Sequence, residues 1–595
     1  MVFEAMLTGQ AAHLRFWPRG VPRALRVPNV TLLHFLDTAA QRFPDKAAIC
    51  FVGSTLRYAQ LRHRVDALAA WMQRCWDLKR GDRVLLWSQN CPQFVTACYA
   101  VLRAGAVVVP INPMSTIEEV RYLMDDSGAH HAVVAGELLP ALQPCLAADQ
   151  GPVPLRSVLV HAYSEACDPQ SAEFSDERAT PAVVREPLPP LPVDTAAQGS
   201  IRFLGLEAAI TQALEASWMP QDVEASPDDL CVLPYTSGTT GKPKACMHSH
   251  RTLLAAHWGS HLWRGLHADA VFLAVAPLFH MLGLQNGMGL PMLLGATVVM
   301  MPRWHAATAL RMIEQHRVTV WTAPPAMVID AFAQPEAATR DLSSLALLSG
   351  GGAAMPEAVA AMLAQRFGLV YNEAYGLSET AAFLLANPVS RGKRQCLGVP
   401  TPGVDARIVD PQSLVEMPDG EVGEIVVSGP QVMQGYWRNP QADAQAFFER
   451  DGRRFLRTGD LGWRDDEGYF FMRDRLKRMV NVSGYKVWPA EVEAVLYRHP
   501  AIHEACVIAL EDERQGERVK AVVVLKPGMQ ATPEDIVGWS RTQMATYKAP
   551  REVEFTDALP RSGTGKIDWR GLQQSQRTRV AHAKQFQHSQ KENTQ

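Results

Sequence analysis

Residues 47–112 contain AAICF (47–51), YAQLRHRVDALAAWM (58–72), DRVLLWS (82–88), PQFVTACYAVLRAG (92–105) and AVVVPIN (106–112), separated by short, mostly polar connections. The short β-branched runs predict strands. In the second run Leu61, Val65, Leu68 and Met72 recur at four, three and four residues, the spacing of one helical face. Strand and helix alternating in this way predict an α/β fold: a largely parallel sheet covered by helices on both sides. The alternation returns at MLLGATVVMM (292–301), HAATALRMIEQHRV (305–318) and VTVWTAP (318–324), so the first 470 residues or so read as one α/β body of mixed, mostly parallel sheets, open to a duplication into two halves.

At 595 residues, close to half of them apolar, the chain is too long for a single core and should form at least two domains. The body spans 1–474, with 151–200, rich in Pro, Ala and acidic residues and without a sustained period, expected as a surface insertion. From about Arg475 to Gly484 the character changes. Helix (PAEVEAVLYRH), strands (ACVIAL, KAVVVLK) and helix (PEDIVGWSRTQMA) fit a small α+β domain over 478–572, and polar residues 573–595 are expected to be a disordered tail.

Lys and Arg (58) nearly balance Asp and Glu (61), and no basic stripe is interleaved with aromatics, which argues against nucleic acid as a partner. The ten cysteines stand singly, without a Cys-x-x-Cys pair, and read as buried thiols of a reducing compartment. Residues 1–20 lack the apolar stretch of a signal peptide, and the longest apolar run, Leu290 to Met301, is too short to span a bilayer. A cytoplasmic enzyme is expected.

The chemistry begins at Tyr235-Thr-Ser-Gly-Thr-Thr-Gly-Lys-Pro-Lys244, after the strand-like CVLPY. Hydroxyls, glycines and two lysines in ten residues make a loop that can wrap phosphate oxygens. It is not a Walker A loop, which has four residues between its glycines and Ser or Thr after the Lys; Gly238 and Gly241 enclose two residues, and Pro243 follows Lys242. Downstream, Tyr375-Gly-Leu-Ser-Glu-Thr380 offers a flat apolar ring and, in Glu379, a hard oxygen ligand suited to Mg²⁺. Gly350-Gly-Gly-Ala-Ala-Met355, Thr458-Gly-Asp460, Asp474-Arg-Leu-Lys477, Val482-Ser-Gly484 and Pro560-Arg-Ser-Gly-Thr-Gly-Lys566 complete the set. Each taken alone is an ordinary turn or surface segment.

Together, in this order, they resemble the adenylate-forming superfamily of acyl-CoA synthetases, peptide-synthetase adenylation domains and beetle luciferases, over residues from about Leu32 to Leu572. The resemblance implies that Thr236, Ser237, Gly238, Thr239, Thr240, Gly241 and Lys244 bind the phosphates of ATP, and that Glu379 and Thr236 hold Mg²⁺. It assigns adenine and ribose to Gly351, Gly352, Ala353, Tyr375, Gly376, Thr380, Asp460 and Arg475, a hinge to 475–477 with Lys477 as pivot, and the pantetheine arm of CoA to Ser483, Gly484 and Lys486. Lys566 is the implied catalytic lysine, an ammonium that can offset the repulsion between an attacking carboxylate and the α-phosphate.

The acyl pocket is sought in Pro277-Leu-Phe-His280-Met-Leu-Gly-Leu, with His280 near the reacting carbonyl. Amino-acid-activating relatives carry an aspartate in this segment, and none lies between Pro277 and Met301. Gly283, Gly287 and Gly289 among Leu and Met suggest room for a flexible chain, so a medium- or long-chain fatty acid is chosen over an aromatic acid. The expected enzyme is an AMP-forming fatty acid–CoA ligase using a small carboxylic acid, ATP and CoA. Peripheral membrane contact and a homodimer are compatible with that reading. Aryl-CoA ligation and carrier-protein loading stay open as alternatives; a non-catalytic binding protein would be expected to have lost Lys566 or Glu379.

Overall fold

The computed structural model describes residues 12–146, 155–192, 201–236, 242–482, 485–512, 516–561, 567–576 and 578–579. By contact the chain divides into one unit of Met1–Ala406, Val427–Leu456 and Asp466–Phe470, and a second of Arg407–Val426, Arg457–Asp465 and Phe471–Gln595.

The first unit holds two large sheets. One has seven strands in the order His248–Ser249, Leu230–Val232, Val107–Ile111, Arg83–Trp87, His131–Ala135, Ser157–His161, Arg202–Gly205, parallel throughout except for the first, which is antiparallel to its neighbour. The other has nine strands. Its parallel centre runs Tyr371–Tyr375, Leu347–Gly350, Val320–Thr322, Val271–Ala274, Thr297–Met300, Ala47–Phe51, and short antiparallel strands close each edge. The expected α/β class is what the structure shows.

The five elements first read from the sequence all form, at Ala47–Phe51, Tyr58–Cys75, Arg83–Trp87, Pro92–Arg103 and Val107–Ile111. They do not all share a sheet. Ala47–Phe51 turns back through the hairpin strand Ser54–Arg57 and pairs with Thr297–Met300, leaving Arg83–Trp87 to begin the other sheet. Val107–Ile111 is buried at every position, as a strand covered on both faces must be. Helix Pro92–Arg103 starts with Cys91 Sγ accepting from the Phe94 amide at 3.4 Å and Pro92 in the first turn, and it buries every side chain but the last.

Three expectations need correction. Residues 151–200 are not simply an insertion: Ser157–His161 is a buried strand between two others of the seven-stranded sheet, and its short apolar run (SVLVH) was masked by the Pro-rich chain that follows. The tail does not begin at 573, because residues 569–576 are helical and Gln576, 4% exposed, hydrogen-bonds Lys520 and Glu554. Of the ten cysteines, seven are buried, Cys50 and Cys167 are half-buried, and Cys75 is exposed.

The second unit contains the expected α+β pattern: strands Ile502–Asp512 and Gly516–Leu525 pair along most of their length, Glu552–Phe555 runs parallel to the latter, and helices Pro489–Leu496 and Pro533–Gln543 supply Val492, Leu496 and Ile536 to the core. Among the described residues, no helix is long and apolar enough to cross a membrane. The run Leu290–Met301 is split between the end of a helix and the strand Thr297–Met300, with Gly295 at φ 67° turning the chain between them.

Candidate active site

The two ends of the candidate phosphate loop form an antiparallel pair, Thr236 opposite Lys244 and Tyr235 opposite Ala245. Ser237, Gly238, Thr239, Thr240 and Gly241, between them, lie outside the described residues. The pair is tied down by Tyr235 Oη donating to Asp126 Oδ2 at 2.6 Å, and by Tyr122 Oη donating to the Pro243 carbonyl at 3.0 Å. The described ends are two antiparallel strands, where a Walker site has a strand leading into a helix.

Glu379 sits in the short turn Ser378–Thr380, fixed by the Leu377 amide donating to Thr380 Oγ1 at 2.8 Å. After it, Ala381 and Ala382 adopt φ of 50° and 61°, a left-handed stretch rare for residues with a Cβ. The reversal brings residue 382 back onto Gly376, where a Cβ would lie 2.3 Å from the Ala382 carbonyl carbon. Glu379 Oε1 accepts from Tyr436 Oη at 3.0 Å, a hydrogen bond to an ionisable group. The Glu379 backbone carbonyl accepts from the Met433 amide at 2.8 Å, which ties the turn to the same neighbouring segment. The Tyr436 ring in turn lies 5.2 Å from Lys244 Nζ, and Thr236 Oγ1 reaches the Lys244 carbonyl at 3.4 Å. Thr236, Lys244, Tyr436 and Glu379 therefore form one connected group.

Beneath it, fully buried His248 donates from Nε2 to the Ser378 carbonyl at 2.6 Å, with Nδ1 3.1 Å from Thr252 Oγ1. Burial pushes this imidazole down to about 4, so it is neutral at physiological pH.

The glycine-rich segment leaves the end of strand Leu347–Gly350, beside the parallel strand Tyr371–Tyr375. A Cβ on Gly351 would lie 2.2 Å from the Ala374 carbonyl oxygen, so no larger residue fits. Gly352 and Ala353 are exposed, whereas Tyr375 and Thr380 are buried. Glu373, 7% exposed, accepts from the Met355 amide at 2.8 Å and the Cys396 amide at 2.7 Å, which anchors the far end of the glycine segment; burial raises its pKa.

In the second unit Arg475 Nε lies 3.0 Å from Asp460 Oδ1, the carboxylate being 1% exposed. Thr458 shapes that turn, donating to the Ile425 carbonyl at 2.6 Å and accepting from the Asp460 amide at 3.1 Å. Glu424 accepts from the Gly459 amide at 3.1 Å and pairs with Arg457 at 2.6 Å. Lys477 belongs to the turn Leu476–Arg478, and Lys486 pairs with Asn481 across a hairpin; only their backbones are described. Ser483, Gly484 and Lys566 lie outside the described residues.

His280 caps a short helix, its Nδ1 accepting from the Leu282 amide at 3.4 Å. The helix Met281–Gly283 passes into a π-helical stretch, Leu284–Gly289, a form that clusters at functional sites, and then into Leu290–Leu294. The glycines here do not open a chamber. A Cβ on Gly283 would lie 2.1 Å from the Pro277 carbonyl oxygen, and one on Gly289 would lie 2.3 Å from the His257 ring; their space is already filled.

Sequence reasoning missed Tyr436, His248 and Glu373. Glu373 alone carried a signal, an acid at a buried register of the strand Tyr371–Tyr375. The other two matter through partners distant in sequence.

Hydroxyl, ammonium and carboxylate groups thus gather in a unit whose glycine-rich segment opens at the carboxyl end of a parallel strand, where open α/β sheets bind nucleotides; the class is a nucleotide-binding α/β enzyme. The AMP-binding enzyme family matches residues 36–437, more than half of the chain, and the AMP-binding enzyme C-terminal domain matches 491–566; the chain belongs to this family. It is 34% identical over 575 residues to a long-chain-fatty-acid–CoA ligase of Bacillus subtilis (strain 168), covering 94% of this chain and 97% of that one. A feruloyl-CoA synthase of Amycolatopsis sp is 35% identical over 531 residues, 89% of this chain and 95% of the other. Among solved structures, ATP-bound MatB from Rhodopseudomonas palustris superposes with a TM-score of 0.77 at 26% identity, covering 92% of this chain and 99% of that one.

Proposed function

We propose that the protein is an AMP-forming acyl-CoA ligase that adenylates a medium- or long-chain fatty acid and passes the acyl group to CoA. The observation that carries the adenylation step is the connected group Thr236, Lys244, Tyr436 and Glu379, which joins phosphate-binding and metal-binding chemistry in one place. Two relatives that ligate acids to CoA, each similar along nearly the whole chain, support the thiol acceptor.

A carboxylate is a poor acyl donor because its leaving group would be an oxide ion. In the first half-reaction the substrate carboxylate attacks the α-phosphate of ATP, and the bond to pyrophosphate breaks, giving acyl-AMP. Lys244 and residues 236–241 would steady the phosphates, while Lys566 would neutralise charge as the two anions meet. Glu379 and Thr236 supply hard oxygen donors that fit Mg²⁺, which takes one or two protein ligands and completes its shell with phosphate and water. When bound, the ion would neutralise phosphate charge.

Asp460 would accept from the ribose hydroxyls, oriented by Arg475. In the second half-reaction the CoA thiolate attacks the acyl carbon and AMP leaves. A rotation about Lys477 would withdraw Lys566 and present Ser483, Gly484 and Lys486 to the pantetheine arm, so that one site serves both steps.

The fatty-acid choice rests on the segment from Phe279 to Met301, which carries no acidic or cationic residue apart from the imidazole of His280, and on the Bacillus subtilis relative. The feruloyl-CoA synthase favours an aromatic acid as the second reading. An ATP–pyrophosphate exchange screen from acetate to palmitate, with benzoate and cinnamate, decides between them; exchange with none of these acids would refute acid activation. We place the enzyme in the cytoplasm.

A further inference from the structure

The segment after His280 is apolar, but a cation reaches it from a neighbouring helix. Arg264 ends the helix His250–Arg264. Among the described residues its one side-chain hydrogen bond runs from Nη1 to Asn286 Oδ1 at 3.0 Å, and its guanidinium carbon lies 5.3 Å from the centroid of the Phe383 ring. A guanidinium has five N–H donors in a planar fork, so most of its capacity is unused.

No carboxylate of the described residues offsets its charge, and burial pulls the guanidinium down to about 10. The residue still keeps intermediate solvent exposure. A half-buried guanidinium with one acceptor has donors left for a ligand oxygen. The helix C-terminus and the ring face favour positive charge, but neither uses the planar fork as an anion or a paired acceptor would.

Its two contacts place it in the fold. Asn286 belongs to the π-helical stretch that follows His280, six residues beyond it, or roughly 9 Å along a helix axis. Phe383 closes the turn that carries Glu379 and Thr380, its amide donating to the Thr380 carbonyl at 3.3 Å. Arg264 thus joins the segment proposed for the acyl chain to the turn that carries Glu379 and Thr380.

We propose that Arg264, oriented by Asn286, is a specificity-determining residue at the far end of the acyl site, where it binds a hydrogen-bond acceptor or anion carried by the substrate roughly 9 Å from its reacting carboxyl. The preferred acid then has an apolar body and an oxygenated far end, either an ω-hydroxy or ω-carboxy aliphatic acid or a phenolic one. This rests on the acid-activating reading above and narrows its substrate.

The test measures kcat/KM with CoA for matched pairs on the full chain: octanoate against 8-hydroxyoctanoate and octanedioate, and cinnamate against 4-hydroxycinnamate. The wild type should prefer the oxygenated member of at least one pair by tenfold or more, and which pair responds identifies the body as aliphatic or aromatic. In Arg264→Met that ratio should fall to within twofold, while Arg264→Lys should retain part of it. A ratio near one in the wild type, or a ratio unchanged in Arg264→Met because both members fall together, overturns the assignment. Should Arg264→Met fail to fold, the wild-type ratios and Arg264→Lys decide it alone. Absence of pyrophosphate exchange with every acid would instead reject acid activation itself.

Discussion

Replacing Tyr436 by Phe removes one oxygen and leaves the ring that faces Lys244. The lost bond is Tyr436 Oη to Glu379 Oε1 at 3.0 Å, in a half-buried position. Hydrogen bonds to charged groups contribute about 1.5–3 kcal/mol, and partial solvent access here argues for the lower end. A loss of about 1.4 kcal/mol corresponds to tenfold in an equilibrium constant. If the hydroxyl holds Glu379 in the orientation that the metal and phosphates require, the KM for Mg·ATP in pyrophosphate exchange should rise about tenfold, with a smaller change in kcat. Thermal unfolding should move only slightly, because the ring packing survives. Glu379→Gln, which removes the carboxylate charge, should cost far more. The reasoning is refuted if Tyr436→Phe leaves the KM for Mg·ATP within twofold while Glu379→Gln abolishes exchange, since the pair would then be idle.

Lys566→Ala should block acyl-AMP formation yet spare thioester formation from supplied acyl-AMP; equal loss in both half-reactions would remove the lysine from the first step. Gly376→Ala places a methyl group 2.3 Å from the Ala382 carbonyl carbon, so the turn around Glu379 must shift and exchange should fall at least tenfold, whereas an active, fully stable variant would show that the turn yields easily. Stability should decline on both sides of about pH 6.5. Burial pushes His131, His248 and His250 down to about 4, so their contribution is present above 6.5 and lost as pH falls toward 4, at up to about 1.4 kcal/mol per pH unit for each histidine. His316, raised to about 9 by the Cys50 thiol and Glu173, contributes below 6.5 and loses that contribution as pH rises through 9; urea midpoints for His248→Gln and His316→Gln should each flatten one side only. For plain fatty acids kcat/KM should climb with chain length by up to about fourfold per methylene until the pocket fills, from about 0.8 kcal/mol per buried CH₂, and a flat response from acetate to dodecanoate would leave the aromatic reading standing.

The parts of the fold set by local pattern were legible in the sequence. Leu61, Val65, Leu68 and Met72 announce a helix because burial of one face needs that spacing, and all four are buried in the structure. Sheet membership was not legible. Nothing within Ala47–Phe51 says that its partner lies some 250 residues away at Thr297–Met300, and the hairpin strand that diverts it is polar and short. The same limit explains the glycines of the acyl segment. Locally they promise space, but whether that space is empty depends on Pro277 and on His257 from another helix. The candidate phosphate and metal residues stood out because the chemistry proposed for them demands particular side chains in a compact loop. Tyr436 and His248 bond to Glu379 and to the Ser378 carbonyl, partners distant in sequence, and no local composition marks such contacts.

The π-helical stretch Leu284–Gly289 is an α-helix carrying one residue more than its turns accommodate. Removing a single residue from it would restore ordinary helical bonding and rotate everything that follows by roughly 100°. The strand Thr297–Met300 is held in its sheet from both sides, so the rotation would have to be absorbed between Leu290 and Gly295. A change of length by one codon would therefore turn a different row of side chains toward the acyl site proposed above while the sheet stayed as it is, under that proposal a coarser adjustment of acid preference than any point substitution in the same segment.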